Sequence, residues 1–522
     1  LRGQKKNLAV QKKQDNKAQH VLFGMGEYMK IRELLERVSY RCLQGSLDQE
    51  ITGYSHDNRQ VEEGDMFICI KGARFDTHQC VEEVAAKGAR MIVAERAVQA
   101  PEGVTVILVE DTRKASPLLA AAFYGHPAER LVTVGVTGSK GKTTVTHMLA
   151  DILRASGKKV GTIGTNGAII GDHIYELNNT TPDAQEVQMY LRMMADAGCT
   201  HAVVEVSSQG MKQHRVDGFT FDYGIWTNIS EGDHIGPNEH KDFEEYLYCK
   251  AMLLEHSKLG FVHVDDVHVD ALMKYVTVPV LFYGYDAKAD YRACHVQKTY
   301  CQETKEPGLS FHVEGKLTAD IHVNMPGEFN VMNALAAVSV ADVMGISEKA
   351  MNQALNHMNI KGRIDMVYRG AFSVCVDFAH NGYSTRNLLE ALREYRPKRL
   401  VCVFGADGNR SKSRRYEMGE ASGKLADLSI VTAGHNRYER FEDILKDIHV
   451  GLDKTMGSYI VIPDRKQAIR YAIEHAREGD VITIIGLGHE SYQEENGIKY
   501  PHSDTEFVKQ VIQELGLEGD KK

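Results

Sequence analysis

No run of about eighteen apolar residues occurs in the 522-residue chain, so nothing in it predicts a membrane span. Neither sign of charge dominates. The 62 Lys plus Arg against 71 Asp plus Glu leave a formal charge of −9, without the basic excess that would argue for a nucleic-acid partner. The nine cysteines include no CxxC pair and no metal-type spacing, and several (Cys69, Cys375, Cys402) lie in apolar runs. That usage fits reduced thiols and a cytoplasmic location. Residues 1–28 do not read as a secretory leader: they are polar and basic (Lys5, Lys6, Lys12, Lys13, Lys17), and the apolar patch Val21 to Phe23 is too short for its apolar region. A domain-like opening, MKIRELLERV, starts at Met29. The segment before it is therefore set apart as an extension expected to be disordered, or alternatively to bind through its charge.

What is present is the composition of a globular protein, 43% apolar and 25% charged, in a chain too long for one core and suited to about three domains. Its most informative stretch is GVTGSKGKTTVT, Gly135 to Thr146. An apolar strand (Leu131 to Val136) is joined there to a helix (Thr144 to Ala155) through a glycine-rich loop. Small residues let backbone N–H groups close around phosphate oxygens, Lys142 brings a point charge to the β/γ end, and Thr143 offers a hydroxyl to Mg²⁺. The strict GxxxxGK[ST] spacing is missed by one residue, because Gly135 lies six before Gly141. An ordinary Gly-rich turn would not need Lys-Thr-Thr on the first helical turn, so the loop is read as an ATP site comprising Gly138, Ser139, Lys140, Gly141, Lys142, Thr143 and Thr144.

Three α/β domains are expected. Residues 29–127 alternate short apolar runs (Met66 to Ile70, Arg90 to Val93, Val104 to Val109) with helical patterns. Residues 128–361 hold the phosphate loop, buried strands at Ala202 to Val206 and Tyr223 to Thr227, and then a helix-rich stretch. Residues 362–522 repeat strand and helix: Ser373 to Phe378, Leu400 to Phe404, Leu428 to Thr432, Tyr459 to Ile462 and Val481 to Ile485. The last pattern predicts a parallel sheet wound on both faces, with ligands beyond the carboxyl ends of its strands. Those ends carry Asp377 with His380, GADGNR, GHNR (Gly434 to Arg437) and GLGHE (Gly486 to Glu490).

Glu205 ends a buried strand, where a carboxylate is costly unless paired or metal-bound; it is the natural Mg²⁺ carboxylate, or else a salt-bridged glutamate. Lys250 falls with Phe243, Leu247 and Leu254 on one face of a helix opened by Asp242 and Glu245 in capping-box spacing. Burial favours the neutral amine, which can add CO₂ to become a carbamate, an anionic metal ligand; the alternative is a lysine that snorkels to water. His234, in the loop before this helix, is a further candidate ligand.

Several separated motifs, in order, resemble the Mur ligase family, and within it the UDP-N-acetylmuramoyl-tripeptide synthetases, from Met29 to the C-terminus. They are TGSKGKTT, NNTTPD (Asn178 to Asp183), EVSSQGMKQHRVDG (Glu205 to Gly218), TNISEGDH (Thr227 to His234), Lys250, MPGEFNVMNALAA (Met325 to Ala337), KGRID (Lys361 to Asp365), VDFAH (Val376 to His380) and GHESYQ (Gly488 to Gln493). The resemblance implies a three-domain α/β architecture: a UDP-substrate domain, a central P-loop ATPase domain and a Rossmann-like C-terminal domain. It implies Lys142, Glu205, His234 and Lys250 as the catalytic set, with Thr143, Glu205, His234 and a carbamylated Lys250 around Mg²⁺. Asn58, Arg59, Thr180, Thr181, Ser207, Gln213 and Arg215 would bind the UDP-linked precursor. Asn330, Arg363, Asp377 and His380 would surround the adenosine. Arg410, His435, Asn436, Arg437, Gly486 and Glu490 would clasp the incoming amino acid, a guanidinium fork suiting its carboxylate and a glutamate its ammonium.

The pattern is not followed everywhere. The family's SSH reads Ser207-Ser208-Gln209, its DHLDYHG reads DHIGPNEH, its GKGHE reads GLGHE, and its selectivity motif Asp-Asn-Pro-Arg reads Gly434-His435-Asn436-Arg437. The expected reaction is ATP-dependent addition of a third amino acid to UDP-MurNAc-L-Ala-D-Glu through an acyl phosphate. Meso-diaminopimelate is favoured over L-lysine because two arginines face the substrate and the motif's aspartate is gone. The partners expected are the UDP-linked muramoyl dipeptide and an amino acid, with no nucleic acid, no membrane span and a monomeric protein. The alternatives are a related ligase acting on another substrate, of folylpolyglutamate or specialised-peptide type, and a non-catalytic paralogue that binds nucleotide.

Overall fold

The computed structural model describes residues 28–72, 75–231, 234–236, 239–301 and 306–517; apart from Tyr28, the amino-terminal extension lies outside the described residues. By its internal contacts the chain resolves into two compact units. The first takes the described part of Leu1–Val132 together with Thr181–Thr200 and Ser207–Phe221. Its five-stranded sheet comprises β2 (Arg41–Gln44), β4 (Gly53–Ser55), β5 (Asp65–Ile68), β6 (Met91–Ala94) and β7 (Thr105–Leu108), in the order β2-β7-β6-β5-β4. The runs MFI and MIVA are buried throughout, as expected of strands in a parallel sheet covered on both faces. A small antiparallel pair, β1 (Met29–Lys30) with β3 (Glu50–Ile51), lies beside it in sequence. Helix Thr112–Phe123 begins where the Asp111 carboxylate accepts from the amides of Arg113 (2.8 Å) and Lys114 (3.2 Å), and it buries Leu119 and Ala120.

The second unit contains an eleven-stranded sheet. Its strands are β8 (Val132–Thr137), β9 (Val160–Gly164), β10 (Gly167–Ile170), β11 (His173–Tyr175), β12 (His201–Glu205), β13 (Phe221–Trp226), β14 (Ser257–His263), β15 (Val280–Gly284), β16 (Tyr291–Cys301), β17 (Glu306–Gly315) and β18 (Ala319–Val323). The order is β11-β10-β9-β12-β8-β13-β14-β15-β16-β17-β18, which puts the phosphate-loop strand β8 between β12 and β13. The helix-rich stretch expected after Thr227 is therefore corrected. One long helix, Phe243–Glu255, is followed by five strands, and long helices return only at Phe329–Val343 and Glu348–Leu355. The cause is a period of two: Leu309, Phe311 and Val313, then Ala319, Ile321 and Val323, are buried alternately along antiparallel neighbours.

The same unit contains the six-stranded sheet of the last third: β19 (Asp365–Arg369), β20 (Ser373–Asp377), β21 (Arg399–Phe404), β22 (Leu428–Val431), β23 (Tyr459–Val461) and β24 (Asp480–Ile485), ordered β19-β20-β24-β21-β22-β23. Five of these are parallel, as the strand and helix repeat predicts, and β19 adds an antiparallel edge. A hairpin, β25 (Tyr492–Glu495) with β26 (Ile498–Pro501), follows.

Candidate active site

At the carboxyl end of β8 the chain turns through Gly138 (φ 147°) and Gly141 (φ 85°) into helix Lys142–Ala155. Glycine is required at both positions. A Cβ on Gly138 would collide with the Thr227 hydroxyl, one on Gly141 would meet the Asn333 amide, and positive φ strains any other residue. The loop is braced from the segment after β13: Asn228 accepts from the amides of Ser139 (2.8 Å) and Lys140 (2.9 Å), and the Thr227 hydroxyl donates to the Lys140 carbonyl (2.6 Å). Lys142 Nζ folds back onto the Gly138 carbonyl (2.7 Å). Thr143 and Thr144, at the start of the helix, are buried.

Glu205, at the end of β12, is 1% exposed. Its carboxylate accepts from the hydroxyls of Thr143 (2.9 Å) and Thr165 (3.0 Å) and from the Thr165 amide (2.9 Å). A hydroxyl and a carboxylate, both hard oxygen donors, therefore meet in a buried place at the first turn of the phosphate-loop helix, which suits Mg²⁺.

Lys250 sits on helix Phe243–Glu255, which starts where the Asp242 carboxylate accepts from the Glu245 amide (2.8 Å). At 1% exposure it is buried, and the snorkelling alternative is set aside. Its Nζ lies 4.7 Å from the ring centroid of Tyr246, one helical turn earlier. Tyr246 is one of the residues that sequence reasoning missed. Its hydroxyl is 2.8 Å from Ser139 Oγ in the phosphate loop, and its ring stands 5.9 Å from that of His234. The i, i+4 spacing from Lys250 was the available signal. His234 is left-handed (φ 55°) and pairs through Nδ1 with Glu239 (3.4 Å). Glu239 favours the imidazolium, but lost hydration and the positive charges of Lys250 and Lys142 outweigh it and hold the pKa below the ordinary histidine value. Lys142, Lys250 and His234 thus share one electrostatic neighbourhood.

The candidate adenosine residues also approach the loop. Arg363 Nη2 is 3.4 Å from the Thr143 hydroxyl, and its guanidinium lies over the Phe378 ring at 5.1 Å. The Asp377 carboxylate accepts from the amides of Ile364 (2.8 Å) and Ala379 (2.7 Å), while burial raises its pKa. His380 Nδ1 pairs with the Phe378 carbonyl (2.9 Å). Asn330 is buried and accepts from Asn333 (3.0 Å), the residue beneath Gly141. Two further histidines border Arg363: burial, Arg154 and Arg363 push His147 down to about 4, and burial, Arg363 and Lys361 push His489 down to about 3.

At the carboxyl ends of β21, β22 and β24 lie the residues expected to take the amino acid. Arg410 pairs with Glu239 (3.1 Å). Arg437 is near Asp407 (3.3 Å) and Glu494 (3.8 Å). Burial and the charge of Arg437 lower the pKa of Arg410, against the opposing effect of Glu239 and Asp407. Glu490 meets His435 Nε2 at 2.7 Å, and His435 Nδ1 accepts from the Glu494 amide (2.9 Å), which fixes a tautomer donating to Glu490. Asn436 is buried beside it. Gly486 turns with φ 109° after β24. Gly434, where the family pattern has aspartate, is hemmed by the Ala406 backbone, which a Cβ would approach to 3.0 Å.

The residues expected to hold the UDP-linked precursor lie in the first unit, except Thr180, whose hydroxyl is 3.2 Å from that of Thr165 in the second. Thr181 and Ser207 are paired hydroxyl to hydroxyl (3.2 Å). Arg215 donates to the Thr181 carbonyl (2.6 Å) and to Gln213 (2.8 Å), and contacts Asp183 (3.2 Å). Asn58 donates to Glu83 (3.0 Å), and exposed Arg59 is clasped by Asp57 (2.7 Å).

Three stretches of the chain match domains of one family: residues 50–124 its catalytic domain, 136–341 the Mur ligase middle domain, and 362–488 the glutamate ligase domain. The chain is 37% identical over 489 residues to the UDP-N-acetylmuramoyl-L-alanyl-D-glutamate--2,6-diaminopimelate ligase of Caldanaerobacter subterraneus subsp. tengcongensis, with 93% of this chain and 99% of the relative covered. It belongs to the Mur ligase family. Ligase 1 of the same name from Clostridium acetobutylicum is 35% identical, with 93% of this chain and all of the relative covered. A solved structure of a ligase so named superposes with a TM-score of 0.66 at 26% identity, covering 94% of this chain and all of that one. This Mur ligase is accordingly an ATP-dependent, amide-bond-forming enzyme of peptidoglycan synthesis with a mixed α/β fold, as the motifs led us to expect. A Thermotoga maritima MurF solved with ADP shares the fold, with a TM-score of 0.58 at 18% identity. Among the described residues no helix is long and apolar enough to cross a membrane.

Proposed function

We propose that this Mur ligase adds meso-diaminopimelate to UDP-MurNAc-L-Ala-D-Glu. The observation that carries the choice of amino acid is the placing of two guanidinium groups, Arg410 on Glu239 and Arg437 on Asp407, beyond the carboxyl ends of β21 and β22. Both candidate amino acids carry a side-chain ammonium, but only meso-diaminopimelate adds a second carboxylate, and a guanidinium that can turn from its own carboxylate partner favours that group. The names of the relatives at 37% and 35% identity support the same choice.

In the reaction as we read it, the D-Glu carboxylate oxygen attacks the γ-phosphorus of ATP, the bond to the β-phosphate oxygen breaks, and ADP leaves. The amine of the amino acid then attacks the acyl phosphate carbon. The tetrahedral intermediate expels phosphate and the nitrogen loses a proton to solvent. Lys142 neutralises charge on the transferring group, and the loop pinned by Asn228 and Thr227 holds the phosphates still. Thr143 and Glu205 would hold Mg²⁺, with His234 and Lys250 nearby; when bound, the ion supplies further charge neutralisation at the phosphoryl oxygens. Lys250 as an ammonium fits that role poorly. As a carbamate it becomes an oxygen donor, and its burial favours the neutral amine that adds CO₂. In the same reading residues 29–127 bind the UDP end, 128–361 the ATP and 362–522 the amino acid, and the reaction takes place in the cytoplasm.

An ADP-release screen of UDP-precursors against amino acids tests this. Turnover is expected only when ATP, UDP-MurNAc-L-Ala-D-Glu and a diamino acid are together. Turnover on a folate or another acceptor, and none on this precursor, would overturn it.

A further inference from the structure

The antiparallel strands β16, β17 and β18 present one face to the core and one to water. Ala293, Phe311, Val313, Ala319 and Ile321 are buried, so Arg292, Cys294, His312, Glu314 and Asp320 fall on the other face. By the same alternation His295 should point inward. Instead the register shifts between Cys294 and Gln297, His295 takes φ 53°, and Val296 packs against the core in its place. The bulge thus turns two successive side chains outward, as bulges do where a side chain has to be re-aimed. The result brings a Cys294 Sγ, a His295 ring nitrogen and a Glu314 carboxylate oxygen within 4.8 Å of one another.

We infer that this face of the hairpin is a binding site for a divalent transition ion of the zinc class, ligated by Cys294, His295 and Glu314. Thiolate, imidazole and carboxylate are the donor types that such ions select, and three protein ligands with a water make a four-coordinate site. On binding, the Cys294 S–H bond breaks, its proton passes to solvent and a sulfur–metal bond forms, with no change of oxidation state. The thiol now donates to the His312 carbonyl across the ladder (3.4 Å), so it already lies against the opposite strand. Arg292 pairs with Glu314 and opposes the cation, but a carboxylate has two oxygens and can serve both. His312, held through Nδ1 by Asp320 (2.7 Å), borders the site with its ring 6.5 Å from that of His295. Cysteine spacing gives no sign of this site, because its ligands come from a bulge and from the strand opposite. It is also separate from the oxygen donors Thr143 and Glu205.

Cobalt titration of the full, chelator-stripped chain is the test, because a thiolate ligand gives a charge-transfer band that an all-oxygen site cannot. We expect a band saturating at one equivalent and displaced by zinc. It should vanish in Cys294→Ser and survive in Cys42→Ser and Cys249→Ser. In His295→Gln and Glu314→Gln, zinc affinity measured by chelator competition should fall by at least about tenfold, the least expected even for outer-sphere partners of a metal. Absence of the band in the native chain, its persistence in Cys294→Ser, or equal zinc affinity in all the variants would overturn the site, the last meaning adventitious metal only.

Discussion

The two ends of the proposed reaction are built from different materials. At the phosphate end, hydroxyls, an amide and backbone groups do the holding, with a single buried carboxylate among them: Ser139 with Tyr246, Lys140 with Asn228, and Thr143 and Thr165 on Glu205. At the amino-acid end, charged pairs do the holding: Arg410 with Glu239, Arg437 with Asp407, and Glu490 with His435. Phosphate is a fixed shape that a rigid backbone cradle can match. An amino acid is told from its neighbours by where its charges lie, so the groups that read it must be ionic and can be exchanged without rebuilding the loop.

The charged end rests on a buried support. Arg465 is bidentate to Asp504 (2.6 and 2.8 Å), which also meets His502 (2.7 Å), and the same guanidinium donates to the Ile485 carbonyl (2.9 Å) just before Gly486. Breaking it should give the largest effect on stability: Asp504→Asn is expected to cost about 3–5 kcal/mol, by leaving a buried charge uncompensated, in denaturant unfolding. Despite its burial, Arg465 and His502 hold the Asp504 carboxyl well below the usual carboxylate range. The folded pKa lies below the unfolded one, so this stability is complete above about pH 4 and is lost on acidification below it.

At the phosphate end, Lys142→Ala should lower kcat by about 10²- to 10³-fold, the cost of one preorganised electrostatic partner, with unfolding unchanged. Lys250→Ala should do the same while folding normally, and an intact Lys250 should show the added mass of CO₂. Full activity in Lys250→Ala would rule out a working carbamate. An effect that is absent near neutrality and builds up on acidification is one of pH. Burial, Arg363 and Lys361 keep His489 neutral down to about pH 3 when folded, whereas the unfolded residue protonates near pH 6.5. The folded state therefore binds fewer protons, and stability falls as pH drops below about 6.5, by at most about 1.4 kcal/mol per pH unit from this residue. Melting curves of His489→Gln should show a shallower acid limb.

The difference between the two ends also decided what could be read from sequence. The phosphate loop is local: its glycines, Lys142 and Thr143 lie within a few residues, and their spacing dictates their geometry. Glu205 was legible as a carboxylate at the end of a buried strand, and Lys250 as a lysine on an apolar stripe. Thr165 and Asn333 were not, since each acts through a partner far away in the chain, and Tyr246 was marked only by its i, i+4 spacing from Lys250. The strands β17 and β18 were legible in the alternation of Leu309, Phe311 and Val313 and of Ala319, Ile321 and Val323 with polar residues, a period of two that the expectation of helices overlooked. At the amino-acid end, His435 and Asn436 replace the family's Asn-Pro, and only the structure shows His435 donating to Glu490 and Gly434 pressed against Ala406.

If paired guanidinium groups choose the amino acid, kcat/KM for meso-diaminopimelate and L-lysine, with UDP-MurNAc-L-Ala-D-Glu as the acyl donor, will report it in the native enzyme and in Arg437→Ala. A preference for meso-diaminopimelate of roughly 10- to 150-fold is expected, the worth of one charge-assisted contact of about 1.5–3 kcal/mol, and it should collapse in the variant through its effect on that substrate. A preference for lysine, or diaminopimelate turnover indifferent to the loss of Arg437, would contradict it.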